Sequence, residues 1–433
     1  MWNPKCETMP REELQQLQWE RLQATMNRVY RHVTYYRKCF DRIGLLPEDL
    51  ETIDDLCRLP FTTRETLMEN YPYGMFAVPL REVVRIHQVP GWTGRPIVVG
   101  YTRNDLDHWS DLTARVLHGC GVTQEDVVQV SFGYGMLNRG LGLHYGAERI
   151  GASVIPGSAE DVKKQIMIMR DFRTTVLVAT PSFALYVLES LHDMGVDPKQ
   201  LCLRVGVFGG EPWAESVREN IEEGLLLHGF DHYVVAEAQG PGIAGECPEK
   251  SGMHISEDHF IAEIVHPETG KPLPHGEEGE LVLTSITREA FPLLRFRTGD
   301  MTRLLVERCA CGRTLARMAR LRRRADDIVV VNGISVSVSR IRDILKELEG
   351  IEPLFQVVVE RDQGEDRIEV KLDVQEAPFE DELKKLQARQ SALMERLRDV
   401  FRVKVNVTLA DPRGLRASLN KSGILIDKRL NSK

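Results

Sequence analysis

Hydrophobic positions recur at two spacings along this chain, and the places where the spacing changes mark its elements. Over residues 10–33, Leu14, Leu17, Leu22, Met26 and Val29 fall near a helical repeat, which predicts an amphipathic helix with Thr8 and Pro10 at its start. The stretch Leu59 to Pro72 is poor in strand signals and leads into a short helix. Apolar runs then alternate with helical patterns: DVVQVSF, SVIPG, TTVLVAT, LRVGVFGG and FDHYVVAE each read as a short buried strand. Strands separated by helices in this way predict βαβ units and an α/β domain. From Ile255 the texture changes. HFIAEIVHPETGKPLPHGEEGELVLTSI reads as two antiparallel strands joined by a turn-rich loop. After Asp327, the strands IVVVNGISV and FQVVVERDQGEDRIEVKLDV flank a helix over Arg340 to Glu349, and a charged helix, Phe379 to Phe401, precedes the strand VKVNVTL. The boundary between the α/β part and this α+β tail falls at Arg324 to Asp327, so the expected domains are 1–324 and 325–433.

Bulk composition narrows the function classes. A chain of 433 residues is too long for one core. With 42% hydrophobic and 28% charged residues it is an ordinary globular protein, and its net charge of −8 argues against a general nucleic-acid surface. The basic run Arg317 to Arg324 reads equally as a solvated helix or hinge face or as a functional segment. No apolar run reaches the roughly 18 residues of a membrane span. The N-terminus has no apolar signal region, so a cytoplasmic protein is expected. The eight cysteines are too dispersed for a disulfide scaffold, and the closely spaced ones are better read as metal ligands.

Five constellations can carry chemistry. In Val89 to Thr102, Gly91, Thr93, Gly94 and Arg95 form a turn whose N–H groups and basic side chain suit phosphate oxygens. In Phe208 to Trp213, Gly209 and Gly210 let the backbone approach a ligand at the carboxyl end of a strand. In Asp231 to Gly242, Tyr233 offers a flat face and Glu237 a hard oxygen for Mg²⁺. Cys247, His254, Cys309 and Cys311 suit a tetrahedral zinc site if two loops meet. Asp300 ends a strand and can accept two ribose hydroxyls, while Lys421 sits in a late polar loop. Taken singly, each also reads as an ordinary turn, core aromatic or surface charge.

Taken in order, these segments resemble the adenylate-forming superfamily, and within it the phenylacetate–CoA ligase family. The resemblance runs through WNPKCETMPREEL, PFTTRETLMENYPYGMFAVP, FGYGMLNRGLGLHYGAERIGASVIPG, VATPSFALY, GMHISEDHFIAEIVHPETG, PLLRFRTGD, CACGRTLARM and LIDKR. It implies a large N-terminal adenylate-forming domain of mixed sheets and helices with a small mobile α+β lid. It also implies an ATP-dependent acid–CoA ligase, with an aryl acid such as phenylacetate, an acyl-adenylate intermediate, and release of AMP and pyrophosphate. By resemblance, Lys421, Glu237 and Arg95 serve the chemistry, with Glu237 on Mg²⁺. Nucleotide and CoA contacts fall on Gly91, Thr93, Gly94, Gly209, Gly210, Glu211, Pro212, Tyr233, Asp300, Arg324, Asp326 and Gly333. The acid pocket falls on Phe132, Tyr134, Gly135, Gly209, Ala236 and Pro241, and the Cys/His set is a structural zinc site. Homodimers occur in the family; no nucleic-acid or membrane partner is expected.

The chain departs from the family pattern in places. The usual Ser-Ser-Gly-Thr-Thr-Gly-Lys-Pro is Val89-Pro90-Gly91-Trp92-Thr93-Gly94-Arg95-Pro96, and Tyr-Gly-Leu-Ser-Glu is Tyr233-Val234-Val235-Ala236-Glu237. Arg323 stands for the Gly before the hinge arginine, and Asn420 for the Gly before the late lysine. Two other readings use the same fold: a non-catalytic or regulatory member, and an adenylyltransferase that does not use CoA.

Overall fold

The computed structural model describes residues 1–91, 95–158, 161–321, 323–331, 334–349, 354–362, 365–373, 380–401, 403–411, 414–416, 418–419 and 424–430. The first long helix spans Arg11–His32 and buries Leu14, Leu22, Met26 and Val29. Two details differ from the periodicity. Leu17 is only half-buried, and the buried place beside it goes to Gln18, whose amide donates to the carbonyl of Glu257 at 2.8 Å. Pro10, not Thr8, precedes the first turn; the Thr8 hydroxyl instead donates to the Pro4 carbonyl of a short preceding helix, Pro4–Glu7.

Among the described residues, one sheet of nine strands runs in the order Leu304–Leu305, Arg317–Met318, Met253–Ile255, Gly240–Gly245, His228–Val235, Val205–Gly209, Val176–Ala179, Val127–Val130 and Ser153–Ile155. The last five are parallel, and they are the five apolar runs of the sequence. They read as continuous apolar runs because helices cover both faces. Leu117 and Leu143 pack on one side with Val128 and Val207, while Ile166, Val187 and Ile221 pack on the other with Leu177 and Phe208.

Two smaller β units frame the site. Two antiparallel strands, Arg85–Val89 and Ile97–Tyr101, flank Gly91 and Arg95 in the chain. An antiparallel sheet of Phe260–Val265, Gly279–Ser285, Phe296–Thr302 and Arg323–Arg324 carries Asp300 and Arg324 opposite each other. From Ile328 the chain builds separate sheets and a separate core, running from Val329 to Val407. IVVVNGISV and FQVVVERDQGEDRIEVKLDV, read above as strands, each fold into an antiparallel pair. The helices begin at Val338 and Glu380. No helix of the described residues is long and apolar enough to cross a membrane.

Candidate active site

The carboxyl ends of Val205–Gly209 and His228–Val235 open onto a cavity of about 270 Å³. Its floor comes from Gly210 to Trp213 and from Asp231 to Glu237, and one wall comes from Asp300, Arg324 and Asp326. The C-terminal part closes it with Ile328 to Val330, Ile334, Leu425, Asp427 and Arg429.

A ladder of alternating charge runs along that wall. Tyr233 donates its hydroxyl to Asp300 Oδ2 at 2.6 Å. Arg324 bonds Asp300 Oδ1 with Nη1, donates to Asp326 Oδ1 from Nε at 2.7 Å, and donates to the Thr298 carbonyl at 2.8 Å. Arg64 reaches Asp326 Oδ2 at 3.3 Å and Glu237 Oε1 at 2.7 Å. Gly299 makes the close approach: with φ of +77°, a Cβ there would lie 2.1 Å from Asp326 Oδ2. Burial sets the protonation tendencies, and the ion pairs correct them. Burial pushes Asp300 up against the pull of Arg324, and it pushes Tyr233 well above the usual phenol range with the Asp300 charge adding to it. Burial also disfavours the Glu237 charge, but Arg64 overrides it and holds the carboxyl below its ordinary value. Glu237 is therefore an ionised oxygen donor facing the cavity, which fits a hard cation such as Mg²⁺.

A second ion-pair chain ties the C-terminal part to the floor. Glu211 accepts the Ser182 N–H at 2.7 Å and an Arg361 N–H at 3.2 Å. Arg361 also donates to Asp366 at 2.8 Å; Arg429 bonds Asp366 and Asp427 and donates to the Val330 carbonyl at 2.7 Å.

The other expected site residues fall in different places. Pro212, Tyr233, Ala236, Asp300, Arg324 and Asp326 line the cavity with Gly210 and Glu211; Gly209 lies just behind it, where a Cβ would meet the His232 carbonyl at 2.4 Å. Phe132 meets the cavity through His232, with ring centroids 6.4 Å apart. Tyr134 bonds His144 at 3.2 Å, Gly135 is exposed, and the Pro241 carbonyl accepts the Trp109 N–H; none of the three is among the lining residues. Gly91 lies close to Arg95, a Cβ on it falling 2.1 Å from the Arg95 carbonyl, and Arg95 is exposed. Thr93, Gly94, Gly333 and Lys421 lie outside the described residues.

About the metal ligands, two loops do meet. The donor atoms of Cys247, His254, Cys309 and Cys311 all lie within 4.8 Å of one another. Cys247 and Cys309 sulfurs are 3.8 Å apart, close to the roughly 3.8 Å edge of a tetrahedron with Zn–S bonds of about 2.3 Å. His254 Nδ1 donates to the Leu315 carbonyl at 3.3 Å, which turns Nε2 toward Cys311 at 3.4 Å. Burial lowers His254 to about 4, so the imidazole is neutral, as a ligand must be.

A family model described as the AMP-binding enzyme C-terminal domain matches residues 333–429. Over 418 residues the chain is 41% identical to the phenylacetate-coenzyme A ligase of Thermus thermophilus, covering 94% of each protein. The chain belongs to the phenylacetate–CoA ligase family. Among solved structures, 2-hydroxyisobutyryl-CoA ligase in complex with 2-HIB-AMP and CoA in the thioesterification state matches at a TM-score of 0.89 and 25% identity, over 98% of this chain and 91% of that one. The same ligase in the postadenylation state matches at 0.73 and 24% identity, over 99% and 94%.

For a phenylacetate–CoA ligase family member, the residues that motif reading passed over are mostly arginines. Arg64 lies inside PFTTRETLMENYP, a segment that supported the resemblance without contributing a site residue. Its signal was a cation directly after a Thr-Thr helix start, and the Thr63 side chain does cap that helix. Arg361 and Arg429 carry no motif for the contacts that matter here, because Glu211 and Asp366 lie 150 and 63 positions from them.

Proposed function

We propose that this phenylacetate–CoA ligase family member joins a carboxylic acid to the thiol of CoA in two steps, with ATP as the activating substrate and an aryl acid of the phenylacetate type as acyl donor. The observation that carries the reading is the Tyr233–Asp300–Arg324–Asp326–Arg64–Glu237 ladder on one wall of a cavity closed by the C-terminal part. Tyr233 presents its ring to adenine. Asp300 holds the ribose hydroxyls, and its bonds to Tyr233 and Arg324 orient both oxygens. Gly209 to Pro212 lie along the nucleotide, with Gly91, Thr93, Gly94 and Arg95 over its phosphates. Glu237 would hold Mg²⁺, which neutralises phosphate charge when bound. In the first step the acid's carboxylate oxygen attacks the α-phosphorus and the bond to pyrophosphate breaks. Lys421 screens the two like charges that must meet; at about 4 Å and an effective dielectric near 20, one such charge is worth roughly 4 kcal/mol. In the second step the CoA sulfur attacks the acyl carbon, the bond to AMP breaks, and the thiol proton passes to water; Gly333 borders the path of the pantetheine arm.

Residues 1–324 serve as the nucleotide-holding body and 325–433 as a lid turning about Asp326. Cys247, His254, Cys309 and Cys311 would hold a structural Zn²⁺. The enzyme works in the cytoplasm, where ATP and CoA are present. Incubation with ATP, Mg²⁺, phenylacetate and CoA is expected to release AMP in step with thioester, and to need both acid and thiol. AMP formed at the same rate without CoA, or no nucleotide turnover across a panel of arylacetic acids, would overturn the reading.

A further inference from the structure

The strand His228–Val235 runs beside Val205–Gly209, and His232 pairs with Gly209 at its carboxyl end. Successive residues of a strand point to opposite faces. Tyr233 turns toward Asp300, while His232 turns toward Phe132, the two rings meeting edge to face with centroids 6.4 Å apart. The imidazole is held against the neighbouring strand. Nδ1 lies 2.9 Å from the Phe208 carbonyl, and a Cβ on Gly209 would fall 2.6 Å from Cε1, so glycine there makes room for the ring.

That contact fixes the tautomer. A carbonyl oxygen only accepts, so Nδ1 carries the hydrogen and Nε2 keeps a lone pair. Burial lowers the His232 pKa to about 4, with the charge of Arg139 adding to the shift, so the ring is neutral near pH 7. Nε2 is buried and has no hydrogen-bond partner among the described residues. His232 lines the cavity together with the apolar Leu137, Val235 and Ala236. With the Nδ1–Cε1 edge against the strand, the edge left to the cavity carries Nε2. A buried acceptor without a donor is costly, and a ligand that brings one relieves the cost. In the ligase reading the nucleotide takes the Tyr233 and Asp300 side of the cavity, which leaves the His232 side to the acyl group. The Arg139 charge that acts on His232 disfavours an ammonium as the donor, whereas a neutral hydroxyl fits.

We propose that His232 is a specificity-determining residue of the acid pocket, and that the acid used by this enzyme is a hydroxylated arylacetic acid whose hydroxyl donates to Nε2. The inference rests on the ligase reading above and narrows its substrate class. A site that hydrogen-bonds a substrate hydroxyl rejects the analogue lacking it, because the buried acceptor is then left unpaired.

The test compares 2-, 3- and 4-hydroxyphenylacetate with the fluoro acid of the same ring position, which is similar in size and has no hydrogen to donate. AMP release is followed for wild type, His232→Phe and His232→Gln, with ATP varied separately. Wild type is expected to favour the hydroxy acid over its fluoro counterpart by at least tenfold in kcat/KM at one ring position. In His232→Phe that ratio should fall to within twofold of one without a matching rise in the KM for ATP. In His232→Gln, whose side-chain carbonyl still accepts, part of the preference should return. Three results overturn the inference but leave the ligase reading standing. They are wild type using the fluoro acid at least as well at every position, a ratio that His232→Phe does not reduce, and a variant in which all acids lose equally while the KM for ATP rises. The last would assign His232 to the nucleotide. Should neither variant fold, the wild-type ratio decides alone. No AMP release from wild type with any acid overturns both.

Discussion

Arg64 shows how much of this site rests on one side chain. It bridges Glu237 and Asp326, its own side chain is only 12% exposed, and Glu237 is 6% exposed. Removing one partner of such a pair leaves a buried charge without compensation, which typically costs about 3–5 kcal/mol. Arg64→Met is expected to lower thermal stability and to raise the KM for ATP. It should also move the acid limb of the pH–rate profile upward, because Glu237 loses the cation that holds its pKa down. The sign follows from linkage. A depressed carboxyl contributes stability that is present above its unfolded pKa of about 4.3 and is lost as pH falls through the lower folded value. In Arg64→Met that contribution disappears, so the variant's stability deficit should narrow as pH drops through the acid range. A deficit constant from pH 7 to pH 3, with an unmoved acid limb, would show that Arg64 does not control the Glu237 charge. The other residues of the ladder differ in how readable they were. Asp300, Arg324 and Asp326 were visible because FRTGD and RRRADD carry them in short motifs. Arg64 was not, because its partners lie 173 and 262 positions away and no local spacing encodes that contact.

Elements were legible where one periodicity dominated. The five parallel strands announced themselves as apolar runs because both their faces are covered. The long N-terminal helix was legible as a repeat, but its details were set by tertiary contacts. Gln18 displaces Leu17 from the buried face because two backbone carbonyls, those of Glu257 and Phe260, wait there for a donor. Hairpins such as Ile328–Val331 with Ile334–Ser337 merged into single strands in the sequence, since apolar residues continue on both sides of the Asn-Gly pair. The Cys/His set was legible as chemistry but not as geometry. His254 stands on the strand Met253–Ile255, which pairs with Arg317–Met318 just after the Cys309–Cys311 loop, and this pairing closes the set. Glu7 reinforces it by binding Arg313 at 2.5 Å, which fastens the short helix Pro4–Glu7 to the loop. Protein purified without chelator is expected to contain about one zinc per chain by elemental analysis. Cys309→Ser should lose that zinc and several degrees of melting temperature. Metal-free protein with an unchanged melting temperature in the variant would remove the zinc assignment.

At the scale of the whole molecule, the arrangement of the two parts carries the mechanism. Both states of 2-hydroxyisobutyryl-CoA ligase cover nearly all of this chain, yet the TM-score is 0.89 for the thioesterification state and 0.73 for the postadenylation state. With the two-pose reading above, we propose that the C-terminal part is set here in the thioester-forming pose. The Glu211–Arg361–Asp366–Arg429 chain joins the C-terminal part to the cavity floor, and Ser182 holds Glu211 in line for it. Motif reading placed the boundary at Arg324 to Asp327 and the late lysine beyond it, but it could not see the Glu211–Arg361 contact, whose partners lie 150 positions apart. The proposed mechanism is one body served by a lid in two poses, each pose completing one half-reaction. The direct measurement is both half-reactions, pyrophosphate exchange into ATP and thioester formation from pre-made acyl-adenylate, made side by side on Lys421→Ala and Arg361→Ala. Opposite losses are expected: Lys421→Ala suppresses exchange by at least a hundredfold and spares thioester formation, while Arg361→Ala slows thioester formation several-fold and spares exchange. Equal losses in both half-reactions for both variants would contradict it.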